Sequence, residues 1–173
     1  NSGLVNAAAF PGGLIVIYSG LMKEADSAEQ VAAVLAHELG HTIGRDPIRK
    51  LAAQFGIGVL LSLSGGGDSA TMVRDIIKSV ANNTFSRKQE AKADNFSHAL
   101  MIKSDLSPIH FAEFMKKLDH GIDNPTARKL LTYISSHPDT RARIEKAEAR
   151  AENFNKKEKK LKINWQKIQN SLP

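Results

Sequence analysis

Residues 34–41 read VLAHELGH and place two histidines four positions apart, with a glutamate directly after the first. A capping-box pattern formed by Ser27 and Gln30 opens this segment. Apolar residues then recur at helical spacing until Gly44 and Pro47 end it. Residues four apart on a helix lie above one another on the same face. The chain must therefore fold around a helix that presents two imidazoles in one direction.

Two histidines with this spacing, His37 and His41, can bind one metal ion. Glu38 is turned by about 100° from His37 around the helix. That position suits a residue that does not bind the metal but hydrogen-bonds a metal-bound water and accepts its proton. A catalytic zinc site usually has three protein ligands and one position for water. Because the sequence contains no cysteine, any further ligand has to be His, Asp or Glu.

The third ligand distinguishes two arrangements. In the metzincin pattern a third histidine follows the helix-ending glycine by three residues. Gly44 fits this pattern, but Pro47 occupies the ligand position and has no ligating atom, and Asp46 is one residue out of register. In the other arrangement a glutamate on a later helix is the third ligand and an acidic residue follows one turn on. Glu90 and Asp94 match that arrangement.

We therefore predict a site in which His37, His41 and Glu90 bind one zinc ion (Zn²⁺) per chain. Asp94 is predicted to accept the second ring N–H of a ligand histidine, which fixes the tautomer and the orientation of that ring. In the alternative interpretation, Glu90 and Asp94 lie on a solvated helix face with neighbouring lysines as charge partners. That alternative predicts a helical domain that binds no metal.

The remaining pattern predicts a mainly α fold with a small N-terminal β-sheet, an α+β arrangement in which the helix bearing HELGH is central. Two apolar runs separated by Pro11-Gly12-Gly13 indicate a hairpin, with Leu14 to Tyr18 as its clearest strand. Further helices are predicted from Pro47 to about Ser64, from Asp68 or Ser69 to about Ala81, from Ser86 through Met101, from Ile109 to Asp119 and from Asp139 to about Phe154.

The length of 173 residues suits one domain. We assign residues 1–155 to it, with a Ser/Gly-rich connection at 64–69, and residues 156–173 to a lysine-rich C-terminal tail. Six lysines and one glutamate in 156–167 contribute most of the net charge of +6. We interpret the tail as a solvated, partly disordered helix end, with an anionic-lipid or nucleic-acid surface as the alternative. No stretch approaches the roughly 18–20 apolar residues of a membrane-spanning helix.

Four separated stretches resemble, in the right order, a family of zinc metallopeptidases. This family includes the CAAX prenyl endopeptidases, the bacterial heat-shock membrane protease and soluble envelope or mitochondrial relatives. The resemblance extends from Asn6 to about Ile144, and its stretches are Asn6-Ala7 with Phe10 to Gly13 and Gly20-Leu21, then Ala33 to His41, then Ser86-Arg87 with Glu90 and Ala93-Asp94, and lastly His137-Pro138 with Arg143-Ile144.

The resemblance implies a gluzincin-type endopeptidase with a zincin-like fold. It implies that His37, His41 and Glu90 bind zinc and that Glu38 is the general base and acid. It also implies that Asp94 binds a ligand histidine rather than the zinc itself. It also implies a bacterial cell-envelope location, in the periplasm or at a membrane. Peripheral membrane association is a further expectation, and no nucleic-acid partner is expected.

Two residues in the last matching stretch have candidate catalytic roles. His137 is a candidate to stabilise the oxyanion of the tetrahedral intermediate or, because a loop can move, to occupy the fourth zinc position and keep the enzyme latent. The alternative is a capping or packing role at the start of the last helix. Arg143 is a candidate to reach the same oxyanion or to pair with Asp94 or Glu90, and the alternative is a surface charge.

We accordingly predict a zinc-dependent endopeptidase that cuts extended or misfolded polypeptides. The substrate is expected to bind as an added strand near Pro11 to Gly13, although this segment also fits an ordinary hairpin turn. A second hypothesis is a latent or non-catalytic, chaperone-like module of protein quality control that retains the zinc site.

Overall fold

The computed structural model describes residues 3–55, 84–120, 131–138 and 140–173. Within these ranges the chain is mainly helical with one small sheet, which confirms the fold class predicted from the sequence. The elements in chain order are β1 (Ala7–Ala9), β2 (Ile15–Ile17), α1 (Ser19–Glu24), α2 (Ala28–Ile43), α3 (Asp46–Phe55), α4 (Arg87–Lys103), α5 (Ile109–His120), α6 (Leu131–Ser136), α7 (Thr140–Glu152) and α8 (Trp165–Ser171).

The N-terminal sheet is the predicted hairpin. β1 and β2 pair antiparallel with Ala8 opposite Val16, and the turn between them contains a short 3₁₀ segment, Pro11–Gly13. Gly12 and Gly13 have φ values of 86° and 85°, in the left-handed region that favours glycine. The turn residues therefore suit the backbone that they adopt.

Helix α2 begins at the predicted N-cap, because Ser27 Oγ accepts a hydrogen bond from the Gln30 amide at 3.3 Å. The predicted capping box is only half formed. Gln30 Oε1 accepts from the Asp26 amide at 2.9 Å, one residue before the expected Ser27 amide. The Gln30 side chain is buried and folds back one residue too far to close the box.

Helices α2 and α4 pack unusually closely, and a glycine within HELGH permits this. A Cβ atom built on Gly40 would lie 2.8 Å from the Ala93 Cα and 2.9 Å from the Ala93 carbonyl oxygen. Further along the same pair, Ser97 Oγ donates to the Ala33 carbonyl at 3.1 Å. The lack of a side chain at Gly40 thus brings the face of α4 that carries Glu90 against the face of α2 that carries the histidines.

The apolar core adjoins the histidine face of α2, where α2 packs against α5 and α5 packs against α7. Aromatic and aliphatic side chains fill it at near-complete burial. Its members include Leu21, Val34, Met101, Phe111, Phe114, Met115, Leu118, Tyr133, Ile144 and Ala147. Burial of such side chains stabilises a fold by roughly 1.5–3 kcal/mol each, so this core fixes the helices that carry the site.

The other helix predictions agree with the structure where it describes them. Helix α3 begins at Asp46 and its described part ends at Phe55, short of the predicted end at about Ser64. The predicted helix from Asp68 or Ser69 to about Ala81 and the Ser/Gly-rich connection at 64–69 lie outside the described residues. Helix α4 has the complete capping box predicted for Ser86 and Gln89.

The C-terminal segment 156–173 is anchored to the domain, so its interpretation as a partly disordered helix end is wrong. Glu158 Oε1 accepts from the Ser107 amide at 2.8 Å, and Trp165 Nε1 donates to the Ala25 carbonyl at 2.9 Å. Gln169 Nε2 also reaches the Ala25 carbonyl at 2.9 Å. The six lysines of 156–167 are all exposed. A boundary at residue 155 and peripheral contact of the lysines with a membrane stay predictions.

Among the described residues, no helix is both long enough and apolar enough to cross a bilayer.

The buried histidine His98 on α4 makes a pH dependence testable. Neither of its ring nitrogens has a hydrogen-bond partner among the described residues, and burial lowers its pKa from 6.5 to about 4. The unfolded chain therefore binds a proton first as the pH falls below 6.5, and the folded state loses stability until the pH reaches about 4.

Replacing His98 with leucine is expected to remove this loss. Between about pH 7.5 and about pH 5, the free energy of unfolding should fall by about 2 kcal/mol less in the variant than in the wild type. Urea unfolding of the metal-free proteins at both pH values measures the difference. An equal fall in both proteins would show that His98 is not the titrating group.

Candidate metal centre

Four buried side chains converge between α2, α4 and the loop after α6. Single potential ligand atoms of His37, His41, Glu90 and His137 all lie within 4.8 Å of one another. His37 Nε2 is 3.0 Å from His41 Nε2 and 3.4 Å from Glu90 Oε2, and His41 Nε2 is 3.3 Å from Glu90 Oε1. Ligands at about 2.0–2.1 Å from one tetrahedral zinc ion are roughly 3.3–3.4 Å apart, which matches this spacing.

Each candidate histidine ligand is held from behind by a carboxylate. His37 Nδ1 lies 2.9 Å from Asp94 Oδ1, and His41 Nδ1 lies 3.0 Å from Asp46 Oδ2. If each Nδ1 carries the proton and donates it to the carboxylate, each Nε2 directs a lone pair towards the cluster. The structure thus places Asp94 where the sequence predicted it and adds Asp46.

In the sequence, Asp46 was considered only as a metal ligand, and that role was rejected because the residue is out of register. It reaches His41 because the chain turns between α2 and α3, where Arg45 has a φ of 54°. Its second oxygen, Oδ1, accepts from Gln89 Nε2 at 3.0 Å. The available signal was an aspartate at the start of the next helix, five residues after His41.

The surroundings of the Glu38 carboxylate show whether the cluster suits a bound metal ion. Glu38 is fully buried, and neither of its oxygens has a hydrogen-bond partner among the described residues. His137 Nε2 lies 3.4 Å from Glu38 Oε1 without making a hydrogen bond. Leaving a carboxylate buried and unpaired is costly. A zinc ion with a water would give it a partner, and the nitrogen and oxygen donors beside it are of the type that zinc prefers.

Arg143 is buried within the cluster, so the surface-charge alternative is wrong. Its Nε and one terminal nitrogen each contact an Asp94 oxygen at 2.9 Å, and its other terminal nitrogen lies 2.8 Å from Glu90 Oε2. That nitrogen also donates to the His137 carbonyl at 3.2 Å. Of the two functional roles considered for Arg143, the structure shows the pairing with Asp94 and Glu90.

The carboxylates of the cluster are held in their ionised form. Burial alone would raise the pKa of Glu90, but His137 and hydrogen bonds from His37 and His41 keep that pKa well below its usual range. Burial is likewise outweighed at Asp94, where His37 and Arg143 lower the pKa. Burial and Arg143 act to lower the pKa of His37, but hydrogen bonds to Asp94 and Glu90 raise it to about 9. The cluster therefore favours positive charge at its centre.

The imidazole of His137 lies inside the cluster rather than at the start of α7, while its amide caps α6 by donating to the Tyr133 carbonyl at 3.0 Å. Its Nδ1 is 3.2 Å from His37 Nε2 and 3.1 Å from Glu90 Oε1. The imidazole stacks on Tyr133 with ring centroids 4.6 Å apart, and the Phe85 ring lies at 5.4 Å. Neither aromatic residue was singled out in the sequence. Tyr133 lies one helical turn before His137, whereas only the tertiary structure brings Phe85 to it.

Phe85 connects the loop that carries His137 to the candidate ligand His41. Its ring stacks on the His41 imidazole at 3.9 Å, and the Lys50 ammonium lies 3.5 Å from the ring centroid. The Phe85 amide also donates to the Ser136 carbonyl at 3.2 Å. The segment that precedes α4 is thus tied to the residue before His137.

A narrow groove separates β1 from His137. It is lined by Asn6, Ala7, Ala8, Ala9, Phe85, Ser136 and His137. The Phe10 amide donates to the Leu14 carbonyl at 2.7 Å, and the Tyr18 amide donates to the Asn6 carbonyl at 3.0 Å. Because hydrogen bonding alternates along an antiparallel strand, the backbone groups of Ala7 and Ala9 point away from β2. Since the groove joins β1 to His137, the outer edge of β1 borders the candidate metal centre.

A helix bearing HExxH, a glutamate from a second helix and carboxylates behind both histidines are features of metallopeptidases. Comparison with known families identifies the metallopeptidase family. The chain belongs to peptidase family M48, whose sequence model matches residues 1–151. This match confirms the resemblance seen in the sequence.

Individual relatives are also named as metallopeptidases. Metalloprotease LoiP of Escherichia coli (strain K12) is 33% identical over 126 residues, which cover 66% of this chain and 47% of LoiP. Mitochondrial metalloendopeptidase OMA1 of Schizosaccharomyces pombe (strain 972 / ATCC 24843) is 27% identical over 145 residues, or 83% of this chain and 42% of OMA1. Metalloprotease YcaL of E. coli (strain K12) is 29% identical over 150 residues, which cover 82% of this chain and 56% of YcaL. The chain thus spans about half the length of these curated relatives.

Proposed function

We propose that this chain is a zinc-dependent endopeptidase of the gluzincin type, with His37, His41 and Glu90 as zinc ligands. The observation that carries the proposal is the buried, unpaired carboxylate of Glu38 beside a cluster of correctly spaced donors, all within the described part of the chain. The test is the hydrolysis of a casein-like substrate by the wild type and by a Glu38→Gln variant.

A bound zinc ion would act as a Lewis acid on the scissile carbonyl and would lower the pKa of a water molecule. Glu38 accepts a proton from the attacking water and later gives it to the leaving amine. Asp94 and Asp46 hold the two imidazoles in orientation. Arg143 fixes Asp94 and Glu90 and balances part of their charge. The products are a carboxylate and an amine, and the Glu38 carboxylate is regenerated.

The substrate class follows from the edge of β1. The Ala7 amide already donates to Asn6 Oδ1 at 2.9 Å. An extended peptide that pairs with the outward Ala7 carbonyl and the outward backbone groups of Ala9 would lie in the groove that ends at His137. Pro11–Gly13 lies at the end of this strand, where the sequence predicted strand addition. Backbone pairing depends little on side chains, which supports extended or misfolded polypeptides as substrates. The chaperone-like alternative has no observation of its own in its favour.

His137 has a distinct part in the proposal. Its Nδ1 lies among the ligand atoms, at hydrogen-bonding distance from Glu90. This position supports the latent role, in which His137 takes the fourth ligand position and leaves it when substrate binds. The oxyanion role instead requires His137 to stand off the metal and face the reacting carbonyl.

Replacing His137 with alanine separates the two roles. The latent role predicts that hydrolysis of a casein-like substrate rises by roughly an order of magnitude, which corresponds to an open form that holds about a tenth of the wild-type population. Initial rates at equal zinc content measure the change. A fall in rate would instead assign His137 to the oxyanion.

We also propose a bacterial cell-envelope location, in the periplasm or at a membrane surface, and a role in protein quality control. The support for the location is the family resemblance of the sequence. Fractionation of cells that express the full-length protein tests it.

A further inference from the structure

We infer that Gln89 is a positioning residue of the metal centre and acts on the ligand His41 through Asp46. The inference rests on the proposed zinc site and adds a connection between the two helices that carry its ligands. It is based on a continuous set of hydrogen bonds that runs from the half-buried Gln89 to the fully buried His41.

The first part of this connection runs from Gln89 to the ligand. Gln89 Nε2 donates to Asp46 Oδ1 at 3.0 Å, and Asp46 Oδ2 lies 3.0 Å from His41 Nδ1. His41 is fully buried and Asp46 is 4% exposed, so water has little access to replace either contact. One amide therefore fixes the carboxylate that fixes the imidazole.

The second part runs from Gln89 to the start of α4. Gln89 Oε1 accepts from the Ser86 amide at 3.0 Å and from Ser86 Oγ at 2.8 Å. These contacts orient the amide, because a flipped amide would lose both of them and would present its oxygen to Asp46. The next residue in the chain is Glu90, the candidate ligand from this helix. Gln89 thus joins the first turn of α4 to the end of α2.

Helix capping alone does not account for a glutamine here. A capping box needs only an acceptor at this position, and glutamate supplies one as well as glutamine does. Only glutamine can also donate to the Asp46 carboxylate. The NH₂ group of Gln89 therefore has a second role, which is to hold the Asp46 carboxylate beside His41.

The expected consequence concerns zinc affinity. Without Gln89 the Asp46 carboxylate is held by His41 alone, and the imidazole loses part of its fixed orientation. Removal of a group that supports a metal ligand typically costs 10–100-fold in affinity. We expect the effect of Gln89, which is one contact further out, at the lower end of this range.

The test compares two variants of the full chain, Gln89→Met and Ser27→Ala. Zinc dissociation constants come from competition with a chromophoric chelator, and stability comes from urea unfolding of the metal-free proteins. Gln89→Met is expected to weaken zinc binding about tenfold. Ser27→Ala removes the N-cap side chain of α2, which makes no contact with Gln89, so it should lower the urea midpoint but leave the zinc dissociation constant within about twofold.

Asp46→Ala supplies the control for the route. Alanine has no side-chain oxygen to accept from Gln89 Nε2, so the contact with Gln89 is already broken in that variant. Adding Gln89→Met to Asp46→Ala should then cause no further loss of zinc affinity. A role of Gln89 in folding alone would instead lower the urea midpoint and the zinc affinity by the same amount with either residue at position 46.

The inference is overturned if Ser27→Ala weakens zinc binding as much as Gln89→Met, or if the two losses at Asp46 and Gln89 multiply. It is also overturned if Gln89→Met binds zinc as tightly as the wild type does. A wild type that binds no zinc would instead contradict the proposed function itself.

Discussion

A Glu38→Gln variant is expected to lose hydrolysis of a casein-like substrate by about 10²–10⁴-fold and to keep its zinc. The amide cannot accept the proton of the attacking water, so the general base is lost. The ligand atoms of His37, His41 and Glu90 are unchanged by the substitution. Initial rates together with elemental analysis of the same samples measure both parts of the expectation.

Loss of structure should not explain the lost activity. The Glu38 carboxylate is fully buried without a hydrogen-bond partner among the described residues, so a neutral side chain of the same size is not expected to reduce stability. Glu29→Gln, on the same helix but away from the cluster, serves as the matched control. There the amide oxygen can still accept from the Leu161 amide, as Glu29 Oε1 does at 2.8 Å. A fully active Glu38→Gln enzyme would contradict the mechanism.

A Gly40→Ala variant is expected to be less stable than the wild type and to bind zinc poorly. At an open helix position this change would stabilise by about 1 kcal/mol. Here the new Cβ would lie 2.8 Å from the Ala93 Cα, so α4 has to move away from α2. Overpacking of this kind typically costs about 1–3 kcal/mol, and the movement carries Glu90 away from the two histidines.

Urea unfolding and chelator competition test this expectation on metal-free and zinc-loaded protein. Ala32→Gly, at a half-buried position of the same helix, reports the ordinary effect of helix propensity. The direction of the stability change in Gly40→Ala therefore distinguishes overpacking against Ala93 from the ordinary effect of helix propensity. A stabilised Gly40→Ala protein with unchanged zinc affinity would show that the close approach of α2 and α4 does not determine the site.

Local sequence patterns predicted the parts of the site that depend on helix geometry. His37 and His41 are related by one helical turn, and Glu90 and Asp94 repeat this relation on a second helix. Ser86 marked the start of that helix correctly. Within each helix the residues of the pattern lie only a few positions apart, so the sequence alone was enough to predict it.

The remaining parts depend on contacts between distant segments. Asp46 reaches His41 because of the turn at Arg45, which no helix pattern predicts. Gly40 was noticed only as a member of HELGH, since the need for a small residue comes from Ala93 on another helix. Likewise, the lysines of the C-terminal segment suggested solvation, but Trp165 attaches that segment to the short connection between α1 and α2.

Zinc content by elemental analysis of the wild type and a Glu90→Ala variant tests the central claim most directly. Glu145→Ala, an exposed glutamate on α7, is the control. We expect about one zinc per chain in the wild type and in the control, because two imidazoles and one carboxylate complete a catalytic zinc site. In Glu90→Ala the zinc should be lost or held much more weakly. No bound zinc in any of the three proteins, even after zinc is supplied, would contradict the metal site and with it the peptidase function.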